Sequence, residues 1–112
     1  MRAVLTALLL LAATPALADE CEHAVNQNEL NTCAEDNYKN ADKELNDVWT
    51  ALDAPVKARL RPGQRAWIAE RDAKCKTTAS EAEGGSMYPL LYFGCLTDWT
   101  RERTRWLRAH PN

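Results

Sequence analysis

Four cysteines, at positions 21, 33, 75 and 95, constrain this 112-residue chain more than any other feature. An even set of cysteines in so short a chain reads as disulfides or as a metal site. Zinc ligands usually pair about two to four residues apart, whereas these cysteines are separated by 12, 42 and 20 residues. No metal site is expected, and the C-x-x-C-H run of a haem attachment is absent. Two disulfides are expected instead, which requires an oxidising compartment.

The N-terminus supplies the route to one. Met1-Arg2 carries one positive charge, and residues 3–13 form an apolar run broken only by Thr6. Thr14-Pro15-Ala16-Leu17-Ala18 then places small residues at the −3 and −1 positions of a cleavage site. This is the pattern of a secretory signal peptide. The run is too short to cross a hydrocarbon core, which takes about 20 residues, so no stable membrane insertion is expected. Asp19 and Glu20 separate the site from Cys21, so no lipid anchor is expected. Residues 1–18 are read as the signal peptide and residues 19–112 as one periplasmic or secreted domain.

A domain this small buries only about 60–65% of the surface its unfolded chain exposes, so its core is marginal without crosslinks. Helical periodicity dominates what remains. Asn26, with Glu29 three residues on, resembles a capping box and opens a first helix. Its apolar stripe is Leu30, Ala34, Ala41, Leu45, Val48, Trp49 and Leu52. Pro55 opens a second helix, with Asp53 or Ala54 as cap. Pro62-Gly63 is expected to kink or shorten it, with the main helix opening near Gln64 and its stripe running through Trp67, Ile68, Arg71 and Cys75. A third helix begins near Pro89 and runs to about Arg108, with Tyr92, Leu96, Trp99, Trp106 and Leu107 on its apolar face. No useful run alternates with period two. The fold class is all-α: a small antiparallel bundle of three to four helices stapled by two disulfides.

If the first two helices form an antiparallel hairpin about Ala54, Cys33 and Cys75 lie 21 residues to either side of the turn. That geometry favours Cys33–Cys75 together with Cys21–Cys95. The set Cys21–Cys33 with Cys75–Cys95 comes next, and Cys21–Cys75 with Cys33–Cys95 last.

The chemistry on offer is thin. His23 and His110 sit near the two ends, oxidised cysteines are not nucleophiles, and paired acids on a helix read as a solvated face. No catalytic residues, cofactor site or enzymatic activity are expected. After loss of Arg2 the balance is 13 basic to 16 acidic residues, which argues against nucleic acid. The charge is unevenly spread: positions 19–53 hold ten acids and two bases, and positions 57–76 hold seven bases and two acids. Mutual attraction of neighbouring helices is the plain explanation. Among polar residues on apolar stripes, Asp42 and Asn46 flank Leu45, and Gln64 and Arg71 flank Trp67. The hairpin places Asp42 within reach of Arg71. The pair reads as a structural ion pair fixing helix register rather than as a binding pocket. The loop Gly84-Gly85-Ser86-Met87-Tyr88 is the candidate partner-binding segment, since its glycines permit close approach. Its plainer reading is a tight turn folded onto the core.

An ordered set of residues carries a resemblance. Cys33-Ala34, Ala41-Asp42, Leu45-Asn46, Gln64-Arg65-Ala66-Trp67-Ile68, Arg71-Asp72-Ala73 and Cys75 are followed by Gly84-Gly85-Ser86, Cys95-Leu96, Thr100, Arg103 and Leu107. The set spans about residues 21–108 and resembles the lysozyme-inhibitor LprI-like family of bacterial exported proteins. The family takes its name from a member that inhibits lysozyme; this chain differs from that type in having no lipid-anchor cysteine. The resemblance implies an exported, lysozyme-inhibitor-like binding protein whose partner is a lysozyme or other basic envelope protein. The acidic segment would steer a cationic enzyme and the 84–93 loop could enter its cleft. The alternative is a structural or envelope-maintenance module that binds peptidoglycan or another envelope protein.

Overall fold

The computed structural model describes residues 21–110; the signal-peptide reading at 1–18 lies outside them. Among the described residues there are three α-helices and one short 3₁₀ turn: α1 (Gln27–Ala51), α2 (Ala54–Ala79), Ser80–Ala82, and α3 (Tyr88–Ala109).

The caps read in the sequence set the first helix. The Asn26 side chain accepts from the Glu29 N–H at 2.8 Å. The Glu29 carboxylate reaches back to the Val25 N–H at 2.9 Å, one residue beyond the usual capping-box partner. Leu52 turns extended and ends α1, and only Leu52-Asp53 separate it from α2. Lys57 spans that junction, donating to the Thr50 carbonyl at 3.1 Å. A cation there suits the negative end of the α1 dipole.

Of the expected kink or shortening at Pro62-Gly63, the shortening does not occur: α2 is one helix through both and does not open near Gln64. Proline forfeits one backbone hydrogen bond and crowds the carbonyl one turn back. Here Ala58, Arg61, Pro62 and Gly63 are all exposed, so the ring and the freed carbonyl lie on the solvent side. The buried positions nearest to Pro62, Val56 and Gln64, lie on the other side of the helix.

The helices form an up-down-up bundle with α3 as the shared partner. Contacts of Asn31 with Ser86, Tyr38 with Phe93 and Glu44 with Arg108 show that α1 and α3 run the same way. Arg71 meeting Thr100 and Gln64 meeting Arg103 show that α2 runs against α3. The α3 backbone packs closely on α1 and on α2, whereas α1 and α2 keep their backbones apart.

Small residues make the α1–α3 approach possible. Ala34, Asn37, Ala41 and Leu45 of α1 are buried, and α3 contributes Leu96, Thr97, Thr100, Thr104 and Leu107. Trp99 and Trp106, read as part of the buried face of α3, are only half-covered. A core this poor in large apolar side chains gains little from burial at about 25 cal/mol per Å², so the crosslinks are expected to supply a large share of its stability.

The crosslinks are Cys21–Cys33 and Cys75–Cys95, with Cα separations of 5.8 and 5.5 Å. This corrects the pairing favoured by the hairpin geometry. Cys75 looks onto α3, where the antiparallel register presents Cys95. Cys33 meets the N-terminal arm, which folds back so that the buried Asn37 amide donates to Cys21 Sγ at 3.4 Å.

One buried polar atom goes unsatisfied. Thr97 is fully buried, and its Oγ1 has no hydrogen-bond partner among the described residues. Thr97→Val keeps the branched shape and removes the hydroxyl. It is expected to stabilise the domain by about 1 kcal/mol, the low end of the penalty for an orphaned group. Urea unfolding checks this; a variant less stable than the parent would show that the hydroxyl is satisfied in solution.

Candidate functional site

Arg71 is the centre of the polar interior. The residue is 7% exposed. Nη1 donates to Thr100 Oγ1 at 3.2 Å, while Nε and Nη2 grip one carboxylate oxygen of Asp72 at 3.0 and 2.9 Å. The cation lies 5.5 Å from the Tyr38 ring centre and 5.2 Å from that of Trp67. Arg103 stands 5.5 Å from the same Trp67 ring and 4.2 Å from Trp106. Its Nε donates to Gln64 Oε1 at 2.8 Å. The result is a ladder of alternating rings and cations, Tyr38–Arg71–Trp67–Arg103–Trp106, that ties all three helices together. Each rung contributes about 0.5–2 kcal/mol, rising with desolvation. Burial pulls the Arg103 pKa below its ordinary value. Burial also pushes the Tyr38 phenol up; Arg71 opposes that shift and Asp42 and Asp72 reinforce it.

The expected Asp42–Arg71 ion pair is therefore replaced. Asp72, the next residue in the chain, takes the guanidinium, and Asp42 accepts instead from Asn46 Nδ2 at 3.3 Å. The separation of α1 and α2 is the reason. The two residues face each other across a cleft of about 260 Å³ also lined by Asn46, Gln64, Arg61 and Ile68. The four polar residues singled out on the stripes thus do share one site, as walls rather than as a bonded pair.

The loop between α2 and α3 is a shaped turn. Gly84 has φ of +83°, which a side chain would strain. A side chain at Gly85 would press the Ala82 carbonyl at 3.3 Å. The Ser86 carbonyl accepts from Asn31 Nδ2 at 2.8 Å, fastening the loop to the start of α1. Tyr88 folds inward, stacked 5.6 Å from Tyr92, which meets Phe93 edge-on at 5.6 Å. Burial pushes the Tyr92 phenol up, with Asp72 and Tyr88 adding to the shift. Met87, at 47% exposure, is the large apolar side chain of the loop left facing outward.

A third surface was not singled out in the sequence. Glu29, Thr32, Asp36 and Asn40 recur every three to four residues on α1 and, with His23 and Asn37, line an open depression of about 480 Å³. The signal was there in the all-polar stripe they form. Asp36 has no ion pair among the described residues, whereas Glu35 and Asp47 are engaged by Lys39 and Lys43. The loop, through Asn31, lies at this same end of α1. Among the described residues no three His, Cys, Asp or Glu side chains are placed to hold a metal, and no helix is long and apolar enough to cross a membrane.

These features define a disulfide-stapled helical domain built around a cation–aromatic ladder, with open polar clefts on its outside. The chain belongs to the LprI family: the family model described as lysozyme inhibitor LprI matches residues 18–107. An uncharacterized protein of Rhizobium meliloti (strain 1021) is 38% identical over 131 aligned positions, covering 96% of this chain and 94% of the relative. No solved structure matches the chain significantly.

Proposed function

We propose that this is an exported, lysozyme-inhibitor-like binding protein of the bacterial envelope, acting by contact and not by catalysis. The observation that carries the reading is the family match across residues 18–107. The disulfides support an extracytoplasmic setting. Export would follow cleavage after Ala18, giving a mature chain that starts at Asp19.

The contact surface would be the acidic end of α1 together with the adjoining loop. Glu29 and Asp36 are exposed there, and Met87 stands out from the loop with 47% exposure. A carboxylate-lined surface steers a basic enzyme, and an adaptable methionine suits a cleft edge. Asp42 and Arg71 would serve the fold.

The test uses protein exported to the periplasm, whose intact mass should begin at Asp19. At micromolar concentration it is expected to inhibit at least one lysozyme of a panel. Inhibition should weaken steeply between low and physiological salt, where the screening length falls to about 8 Å. Asp36→Lys should weaken it about tenfold. Absence of inhibition of every lysozyme at low salt, or inhibition indifferent to salt, would reject the reading.

A further inference from the structure

The two walls of the cleft between α1 and α2 carry opposite kinds of group and leave both unsatisfied. The α2 wall is a set of donors. Arg61, Gln64 and Arg65 are three and four residues apart, so they share one face of the helix, and all three line the cleft. Arg61 and Arg65 are exposed and make no ion pair among the described residues. Gln64 is only 9% exposed. Its Oε1 is taken by Arg103 Nε at 2.8 Å. A guanidinium only donates, so this amide cannot turn round. Gln64 Nε2 is left with no partner among the described residues, yet it is not sealed from solvent. It opens on the cleft that Gln64 lines.

The α1 wall is an acceptor. Asn46 Nδ2 donates to Asp42 Oδ2 at 3.3 Å, which steadies the carboxylate. That bond uses Oδ2 alone, and Oδ1 has no partner among the described residues. Asp42 makes no ion pair across the cleft either. The separation of the helices holds the opposite charges apart, so each wall is free for a ligand. Between them lie the half-buried Trp49 and Ile68, the latter 40% exposed. At about 260 Å³ the cleft is just below the ~300–1,000 Å³ of sites for drug-sized molecules, which suits a ligand of few atoms.

A ligand matched to these walls presents an anion to α2, an N–H to α1 and apolar atoms between. An amino-acid residue with a free α-carboxylate carries all three on one carbon. Its carboxylate pairs with a guanidinium through two parallel hydrogen bonds. Its ammonium or amide N–H faces the Asp42 carboxylate, and its side chain lies against Trp49 and Ile68. We infer that the α1–α2 cleft is a binding site for the α-carboxylate end of an amino acid or peptide with an apolar side chain, with Arg61, Gln64 and Arg65 on the carboxylate and Asp42 on the neighbouring N–H.

The experiment needs no lysozyme and touches no residue of the proposed lysozyme contact, so the two readings fail separately. The disulfide-intact protein is titrated by calorimetry with leucine, alanyl-leucine, N-acetylleucine, N-acetylleucine amide and inorganic phosphate. Saturable binding of at least one of the three carboxylates is expected, with a Kd of about 1 mM. Preference for leucine identifies a free amino acid as the ligand, and preference for alanyl-leucine or N-acetylleucine identifies a chain end. The amide should bind at least tenfold more weakly than N-acetylleucine, because it leaves the donors of α2 unpaired. Phosphate, which brings no N–H and a second negative charge toward Asp42, should also bind at least tenfold more weakly. Arg65→Glu should weaken carboxylate binding at least tenfold and Arg61→Gln several-fold. Both positions are exposed, and an unchanged urea midpoint confirms that each variant is folded. No binding of any carboxylate at about 10 mM overturns the inference. Equal binding of phosphate or of the amide overturns the ligand class, and binding unchanged in both variants overturns the location.

Discussion

Replacing Cys75 and Cys95 together by alanine is expected to lower the unfolding free energy by about 3 kcal/mol, the chain-entropy value for a loop of this size. The crosslink closes 20 residues and joins α2 to α3. Three kcal/mol is a large part of the roughly 5–15 kcal/mol of a whole domain, and this domain has little apolar burial in reserve. The other disulfide closes 12 residues, and loop length alone gives it nearly the same figure. Its native surroundings differ. Cys75 is fully buried. Cys21 is half-exposed, in an arm where Glu22, His23, Val25 and Asn26 are all exposed. Once cut, that arm regains freedom in the folded state as well as in the unfolded one, so most of the difference cancels. Alanine at Cys21 and Cys33 should therefore cost only about 1 kcal/mol. Denaturant unfolding of the two double variants at equal m-value tests the asymmetry; equal losses would remove it. Non-reducing peptide mapping tests the pairing itself, since a Cys33–Cys75 fragment is incompatible with this fold.

The same cysteines show where sequence reasoning stops. Helix starts were legible because they are local: Asn26 caps its own helix, and Pro55 and Pro89 each sit in a first turn. The partner of each helix was not, because it depends on which surfaces fit. The two-residue link between α1 and α2 invites a close hairpin, and Cys33 and Cys75 are equidistant from it. Yet the small buried residues of α1, Ala34 and Ala41 among them, let its backbone approach α3 more closely than α2, so α3 takes the place beside α1. Threonines are not read as core from hydropathy. They are buried here because small β-branched side chains let two backbones approach and because hydroxyls can bond inward, as Thr104 does to the Thr100 carbonyl at 3.0 Å. The new helix start expected near Gln64 fails for the complementary reason: the cost of Pro62 is local, and α2 continues through it.

Site residues were legible as positions and not as partners. Periodicity placed Asp42, Asn46, Gln64 and Arg71 on facing stripes, and they do line one cleft. It could not say that the cleft stays open, which is why Asp72 and not Asp42 holds Arg71. Trp99 and Trp106 were counted with the apolar face of α3 because a 3.6-residue period reports direction and not depth. The loop was legible through Gly84, whose positive φ requires glycine, but its attachment to Asn31 comes from 55 residues away in sequence.

Arg71→Ala is expected to cost about 3 kcal/mol. Breaking a fully buried pair costs roughly 3–5 kcal/mol because the abandoned charge stays dry. Asp72 is 45% exposed and can rehydrate, which trims that penalty. Other losses restore it. The hydroxyl of Thr100 loses its donor in a fully buried position, and both Tyr38 and Trp67 lose the cation between them. The methylene stem leaves a void as well. Arg71→Lys keeps the charge but has no planar fork to hold Thr100 and Asp72 while stacking on two rings, so it should recover less than half of the loss. Chemical denaturation reads both numbers, and a loss below about 1 kcal/mol for the alanine variant would remove Arg71 from the centre of the fold. Lysozyme inhibition per folded molecule is expected to be unchanged, since a guanidinium this buried presents almost no surface to a partner. A variant of parental stability that had lost inhibition would reverse the assignment and make the cleft between α1 and α2 the contact site.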